Sequence, residues 1–350
     1  MRCRNVIIGI GLFTAVAAQA FAEESKVKYY SIPSSNGVPV AISSDVSGRI
    51  WFVDFRNNLI FIFNQKDEQF TKYEIPTSRS SATDITVDHK GRIWFVEEDG
   101  NQIGTFDLET KRFEEYDIPS PKSQSMRLSV DKDGRVWFTE FAGNRIGEFD
   151  PVTKSFKEHP IPTPKSQPVG IVATNKGAVW FIETQGNKIS KLIPETGKIK
   201  EYIIPKPFCV PTELTIDGQG QLWFSARKDR KLVKFDPVSE RFDEFELPGK
   251  GVPEGLAVDS AGNIWYCDKY KKRVGRYSPK DKGFIEFDLV GGDRAPVDIT
   301  VAASNKVWFT VIGTNELGVI DGNGIVKVES PKMSISIDET EKNMLKQLSP

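Results

Sequence analysis

The chain has 350 residues, 27% of them charged, and its 47 Lys and Arg nearly balance 48 Asp and Glu for a formal net charge of −1. So even a balance excludes a general attraction to nucleic acid or to an anionic bilayer. Three cysteines in a chain this long are no disulfide framework, and the length suffices for a large core.

The N-terminus reads as a leader. Residues 1–5 (MRCRN) are basic, 6–18 (VIIGIGLFTAVAA) are apolar, and 18–24 (AQAFAEE) offer small residues for cleavage. This is the pattern of a secretory signal peptide, with an apolar core too short to span a bilayer comfortably. Residues 1–22 are expected to be removed after Ala22, with Ala20 the alternative, and Cys3 stands before the apolar run rather than at a lipid-anchor position. The 328 residues left carry a charge of about −3, because Arg2 and Arg4 go with the leader. A periplasmic or secreted, monomeric protein without a transmembrane segment is predicted. Its remaining Cys209 and Cys267 are free to pair or not in an oxidising compartment.

Seven tryptophans follow, Trp51, Trp94, Trp137, Trp180, Trp223, Trp265 and Trp308, at separations of 43, 43, 43, 43, 42 and 43, with none outside the series. A fixed period of this size marks a repeat architecture, and four short strands per period mark propeller blades. In the second unit DITVD (84–88) alternates, RIWFVEE (92–98) follows a Lys-Gly turn, and QIGTFDLET (102–110) and RFEEYDIPS (112–120) complete the set. Period-2 alternation with Gly, Asn and Pro between the runs favours strands over helix. The Asp-x-x-Gly turns at Asp88, Asp131, Asp217 and Asp259 are Asx turns; DKDG lacks the rest of a calcium loop.

A ring must close, since an open edge invites aggregation. VKYYSIP (27–33) matches the fourth-strand motifs FEEYDIP and FKEHPIP and is predicted to complete the blade of Trp308, in competition with GIVKVESP (324–331). The predicted fold is all-β: a seven-bladed β-propeller of four-stranded blades over 23–330, closed by an N-terminal strand. A tail over 331–350 follows, in which DETEKNMLKQL (338–348) reads as a short helix capped by Asp338.

In a propeller the fourth-to-first connections and the second-to-third turns meet on one face, the top. The residue three after each Trp ends the second strand there: Asp54, Glu97, Glu140, Glu183, Ala226, Asp268 and Val311. Such a partial carboxylate ring can focus negative potential on a cation or basic ligand; alternatively, each carboxylate caps N–H groups in its own turn. The connections add a second ring, in which Arg127, Glu213, Glu254 and Arg294 are the distinctive members. These positions vary on a uniform scaffold, which is where a specific site is written, unless they are only solvated loop residues. RKDRK (227–231) and KYKKR (269–273) replace neutral Gly-Asn turns in adjacent blades. They form a basic cluster suited to an anionic ligand or an acidic partner protein, or else a solvated rim. His89 belongs to a bottom-face turn and His159 to an outer strand, so a His base at the channel mouth is lacking. No Cys/His metal cluster or phosphate loop is present, no cofactor is expected, and no catalytic residue is assigned.

The repeats GRVWFTEFAGNRIGEFD (134–150) and GAVWFIETQGNKISKL (177–192), with IPTPKSQPVGI (161–171), resemble those of the virginiamycin B lyase, or streptogramin lyase, family. The likeness covers all seven units, and the count of seven and the lack of Trp-Asp dipeptides set it apart from other propellers. It implies elimination chemistry that linearises a cyclic depsipeptide, with a His base, a second substrate-contacting His and carboxylates holding magnesium. The two His positions correspond to Glu254 and Val297 here. The magnesium Glu corresponds to Ala295, and WFTVIGT (308–314) lacks the other metal carboxylate. The expectation is an exported propeller that binds a small anionic or peptidic ligand, or an envelope protein, through its top face without lyase activity. The alternative is a magnesium- or calcium-dependent lyase or hydrolase with a relocated site built from Glu97, Glu140, Glu183 and Glu254.

Overall fold

A computed structural model describes residues 27–322 and contains seven separate four-stranded antiparallel sheets. Six are contiguous in sequence, spanning 39–74, 82–117, 125–160, 168–203, 211–246 and 256–288. The seventh joins Ala295–Val301, Lys306–Ile312 and Glu316–Asp321 to the N-terminal strand Lys28–Ser31. Lys28 pairs with Val319 and Ser31 with Glu316, so the N-terminal segment closes the ring as predicted. Each first strand contacts the first strands of both neighbouring blades, and Pro39–Ser44 meets Ala295–Val301, which completes the circle about an axis. The leader, the competing segment 324–331 and the tail lie outside the described residues.

The repeated Trp-aromatic pair is explained by this stacking. Every residue of the second strands Ile93–Glu97, Val136–Glu140 and Val179–Glu183 is buried, because a neighbouring blade covers each face of the sheet. The Trp faces one neighbour and the following aromatic the other: Trp94 packs with Phe138, Trp137 with Phe181, Trp180 with Phe224, and Trp308 with Phe52 across the closure. Truncating such a buried ring costs about 3–5 kcal/mol, so the seams hold the ring together. The Asx turns lock the same rings. Asp88, Asp131 and Asp259 each accept two backbone N–H bonds of their own turn, and each also accepts Nε1–H of the Trp six residues on, at 3.1, 3.0 and 2.9 Å. Ala302 stands in the Asp position of blade seven, and the buried Trp308 Nε1 has no hydrogen-bond partner.

In four of the blades one glycine is required by close approach. Gly104, Gly147, Gly275 and Gly318 on the third strands lie flat against Phe95, Phe138, Tyr266 and Phe309 of the paired second strands, where a methyl group would overlap the ring. Gly147→Ala is therefore expected to destabilise the protein by about 1–3 kcal/mol, the range for overpacking. Urea melts that give the same midpoint for the variant and the wild type would contradict this placement of the ring.

Candidate functional site

The top face is held by a repeated asparagine. Asn58, Asn101, Asn144 and Asn187 sit in the second-to-third turns with φ of 57, 54, 55 and 53°, in the left-handed region that Asn tolerates better than most residues. From there each side chain staples the connection leaving its blade. Asn101 donates from Nδ2 to the carbonyls of Ile118 and Ser120 at 3.0 and 3.1 Å and accepts from Ser123 N–H and Oγ–H through Oδ1. Asn315 donates likewise to Ile32 and Ser34 after the closing strand, but its Oδ1 has no partner among the described residues. The connections so held form the wall of a cavity of about 580 Å³ at the top mouth of the axis.

The cavity wall is largely apolar, with Val40, Phe55, Met126, Phe141, Val169 and Val210 among its residues. Arg127, Glu213, Arg227 and Glu254 supply its charges. Arg127 reaches from blade three to blade five, with Nη2 at 2.5 Å and Nε at 3.3 Å from the two Glu213 oxygens. Its Nη1 donates to the Thr83 carbonyl at 3.1 Å and lies 3.9 Å from Asp84 Oδ1. Burial pushes the Asp84 carboxyl up to about 6 and that of Asp298 up to about 7, with Arg127 opposing the rise in both and Glu213 adding to it. Asp84, Arg127, Glu213 and Asp298 occupy one register of the first strands in blades two, three, five and seven, so a single guanidinium faces three carboxylates about the axis. Glu254 is clamped separately, with Oε1 at 2.8 Å from Arg227 Nη2 and 3.5 Å from Lys269 Nζ. Burial raises its pKa while the two cations pull it down.

The five carboxylates that end the second strands do not line this cavity. Asp54 accepts the N–H groups of Val38 and Asn57 at 2.9 and 3.3 Å, and Asp268 accepts Lys271 N–H at 3.1 Å, so both cap local backbone. Glu97, Glu140 and Glu183 turn under their own turns against Gly100, Gly143 and Gly186 and are fully buried. Neither oxygen of Glu97 or Glu140 has a hydrogen-bond partner, whereas Glu183 Oε1 accepts from Ser190 at 2.5 Å. Burial, reinforced by Glu115, pushes Glu97 up to about 8; Glu140 and Glu183 rise to about 7 for the same first reason, with Glu158 and Glu201 as the neighbouring charges. The repeated Glu-x-x-Gly spacing was the available signal, since the missing Cβ makes room for a carboxylate beneath the turn. Arg294 is also removed from the axis: it holds Glu316 at 2.7 and 3.0 Å and lies 4.0 Å over the Tyr29 ring.

These placements bear on the metal alternative. Glu97, Glu140 and Glu183 sit in separate blades away from Glu254's clamp, and among the described residues no group of three or more His, Cys, Asp or Glu could hold a metal ion. The family's magnesium positions do not fit the ion either. Ala295 brings only a methyl opposite Ile312, and Thr310, following Trp308 and Phe309, is engaged by Val40 O and Asp298 N–H. Cys209 and Cys267 are buried free thiols, and His159 on its outer strand meets Glu148 at 3.2 Å. The sequence placed Arg227 in the basic turn 227–231 and Asp84 and Asp298 in the ring of connection residues without singling them out; the shared register and the clamp on Glu254 bring them into the site.

A closed ring of seven tandem blades, with a cavity at one mouth of the axis, defines a repeat β-propeller. The chain belongs to the virginiamycin B lyase family, whose profile matches residues 12–125 and 109–334. Among solved structures, selenomethionine-substituted virginiamycin B lyase from Staphylococcus aureus is 25% identical with a TM-score of 0.79, over 85% of this chain and 99% of that one. A streptogramin B lyase is 26% identical with a TM-score of 0.80, over 85% and 97% of the two chains. The extracellular domain of a putative hybrid two-component system from B. thetaiotaomicron shares the fold at 15% identity and a TM-score of 0.65, over 84% of this chain and 41% of that one. Curated protein sequences give no match. No helix among the described residues is long and apolar enough to cross a membrane.

Proposed function

We propose that the chain is an exported binding protein that takes a ligand or a partner protein into its top-face cavity and does not perform the family's elimination. The observation that carries this reading is the clamp on Glu254. Where the resemblance implies a His base, a carboxylate stands instead, with its Oε1 held by Arg227 and Lys269, so the ion pair occupies the oxygen that would have to meet a substrate proton, even though burial raises its pKa. Val297, in the other His position, has no proton to exchange. What remains is a concave apolar wall with a few oriented charges, the usual composition of a binding pocket. Export is supported by the leader-like residues 1–22 and by the extracellular domains among the structures sharing the fold.

The test compares the wild type with a Phe141→Ala, Glu254→Gln variant in affinity capture from cell-envelope extract and in incubation with a cyclic depsipeptide. At least one captured species should fall about fivefold or more with the variant, the scale for losing one buried contact, and mass spectrometry should find the depsipeptide ring intact. Equal capture by both proteins would remove the cavity from the proposal. A linear product from the wild type would restore the enzyme.

A further inference from the structure

We infer that the top rim of blades five and six, beside the cavity, is a docking surface for an acidic peptide segment of a partner protein. The inference rests on the binding-protein reading and adds the chemistry of the partner. It starts from a rule of this fold that these two blades break. Elsewhere the left-handed turn position holds the stapling Asn; here it holds Arg230 and Lys272, at φ of 58 and 54°. Long cations gain nothing from that conformation and lack the acceptor oxygen with which Asn also holds an N–H of the connection. Lys272 recovers one contact, to Asp293 at 2.9 Å. Arg230 is exposed and its guanidinium makes no ion pair among the described residues.

Two aromatics break a second rule. Phe208 is 74% exposed with φ of 57°, at the connection position where other blades place Arg79, Lys122 and Lys165. Tyr270 is 60% exposed. Each ring carries an ammonium group, Lys228 Nζ at 5.7 Å from the Phe208 centroid and Lys269 Nζ at 5.2 Å from that of Tyr270. An exposed ring in a strained backbone conformation has no folding benefit, whereas it supplies rigid contact area to a partner.

Charge then selects the partner. Lys206, Lys228, Lys250 and Lys271 are exposed and form no ion pair among the described residues. The neighbouring acids are mostly engaged, Glu254 by Arg227 and Lys269, Asp268 by its turn, Asp293 by Lys272 and Glu244 by Lys231; Asp229 and Glu246 are the exceptions. Backbone bonds from Arg227 N–H to Val210 O and from Leu247 N–H to Arg230 O make these connections and turns one continuous surface. Val210, Arg227 and Glu254 carry it into the cavity. A segment with carboxylates for the rim and an apolar side chain for the cavity matches both. A flat anionic bilayer fits less well, because it would also meet Glu98 and exposed Asp99 on the same face of blade two.

Fluorescence anisotropy with the full exported chain tests the inference, using a labelled peptide that repeats Glu-Glu-Phe four times and a control with Gln for Glu. The acidic peptide should bind at least about tenfold more tightly than the control and weaken with salt. Lys228→Glu with Lys271→Glu, and separately Phe208→Ser, should each weaken it by about tenfold with unchanged melting. Equal binding of the two peptides, equal binding by the variants, or binding only to phosphatidylglycerol vesicles would overturn the inference. If the Phe141→Ala, Glu254→Gln variant loses its captured partner while the wild type ignores the acidic peptide, the cavity reading stands and this one falls.

Discussion

Arg127→Met should lower the stability of the protein by about 3–5 kcal/mol at pH 8, the cost of leaving buried partners of an ion pair uncompensated. The substitution keeps an unbranched apolar stem and removes the one guanidinium that faces Asp84, Glu213 and Asp298. With Arg127 present, burial already holds Asp84 at about 6 and Asp298 at about 7, above the usual Asp value. A carboxylate raised in the folded state stabilises the fold when protonated and opposes it when charged. The penalty is therefore fully present above about pH 7 and fades as pH falls toward the unfolded value near 4. Loss of the guanidinium raises both groups further, so the deficit of the variant should be largest at pH 8 and shrink steadily toward pH 5. Urea melts across that range measure it. A deficit that stays constant with pH would mean that Arg127 contributes packing rather than charge.

Glu97→Gln has the opposite sign. Glu97 is held at about 8 by burial and by Glu115, so its ionisation opposes folding from about pH 5 upward and does so fully above pH 8. Gln fills the same space under Gly100 without a charge. The variant should match the wild type at pH 5 and exceed it at pH 8.5 by an amount on the order of 1–3 kcal/mol, since each tenfold change in proton affinity between the folded and unfolded chain is worth about 1.4 kcal/mol. Glu140→Gln and Glu183→Gln should behave alike but with the gain complete near pH 7, where Arg145 and Lys188 moderate the effect of Glu158 and Glu201. If stability rises with pH equally in the wild type and in all three variants, these carboxylates are solvated and the buried placement is mistaken.

The two predictions concern groups that looked alike in the sequence and have different fates in the fold. Glu140 and Glu213 are both acidic residues next to top-face turns. Glu140 ends a second strand, where Gly143 leaves a niche beneath the turn and the neighbouring blade covers it. Glu213 lies on a first strand and meets a guanidinium 86 positions away. The Asp-x-x-Gly turns, by contrast, were legible in full, because an Asx turn is made by residues within four positions of one another. The basic turns of blades five and six were visible as exceptions, but five of their eight cations turn out to be paired with acids elsewhere in the blades and connections.

The tryptophan period alone determined the count of blades, because it is written in a local pattern repeated along the chain; the likeness of VKYYSIP to the other fourth strands made it a candidate to close the ring beside GIVKVESP, and its pairing with residues 316–319 decided it. Which charged residues gather at the axis, and which are hidden in the seams, was decided by the tertiary structure. Ring closure brings distant registers together, and whether a side chain at a strand end faces the channel or folds under its own turn depends on the volume left by the blade beside it.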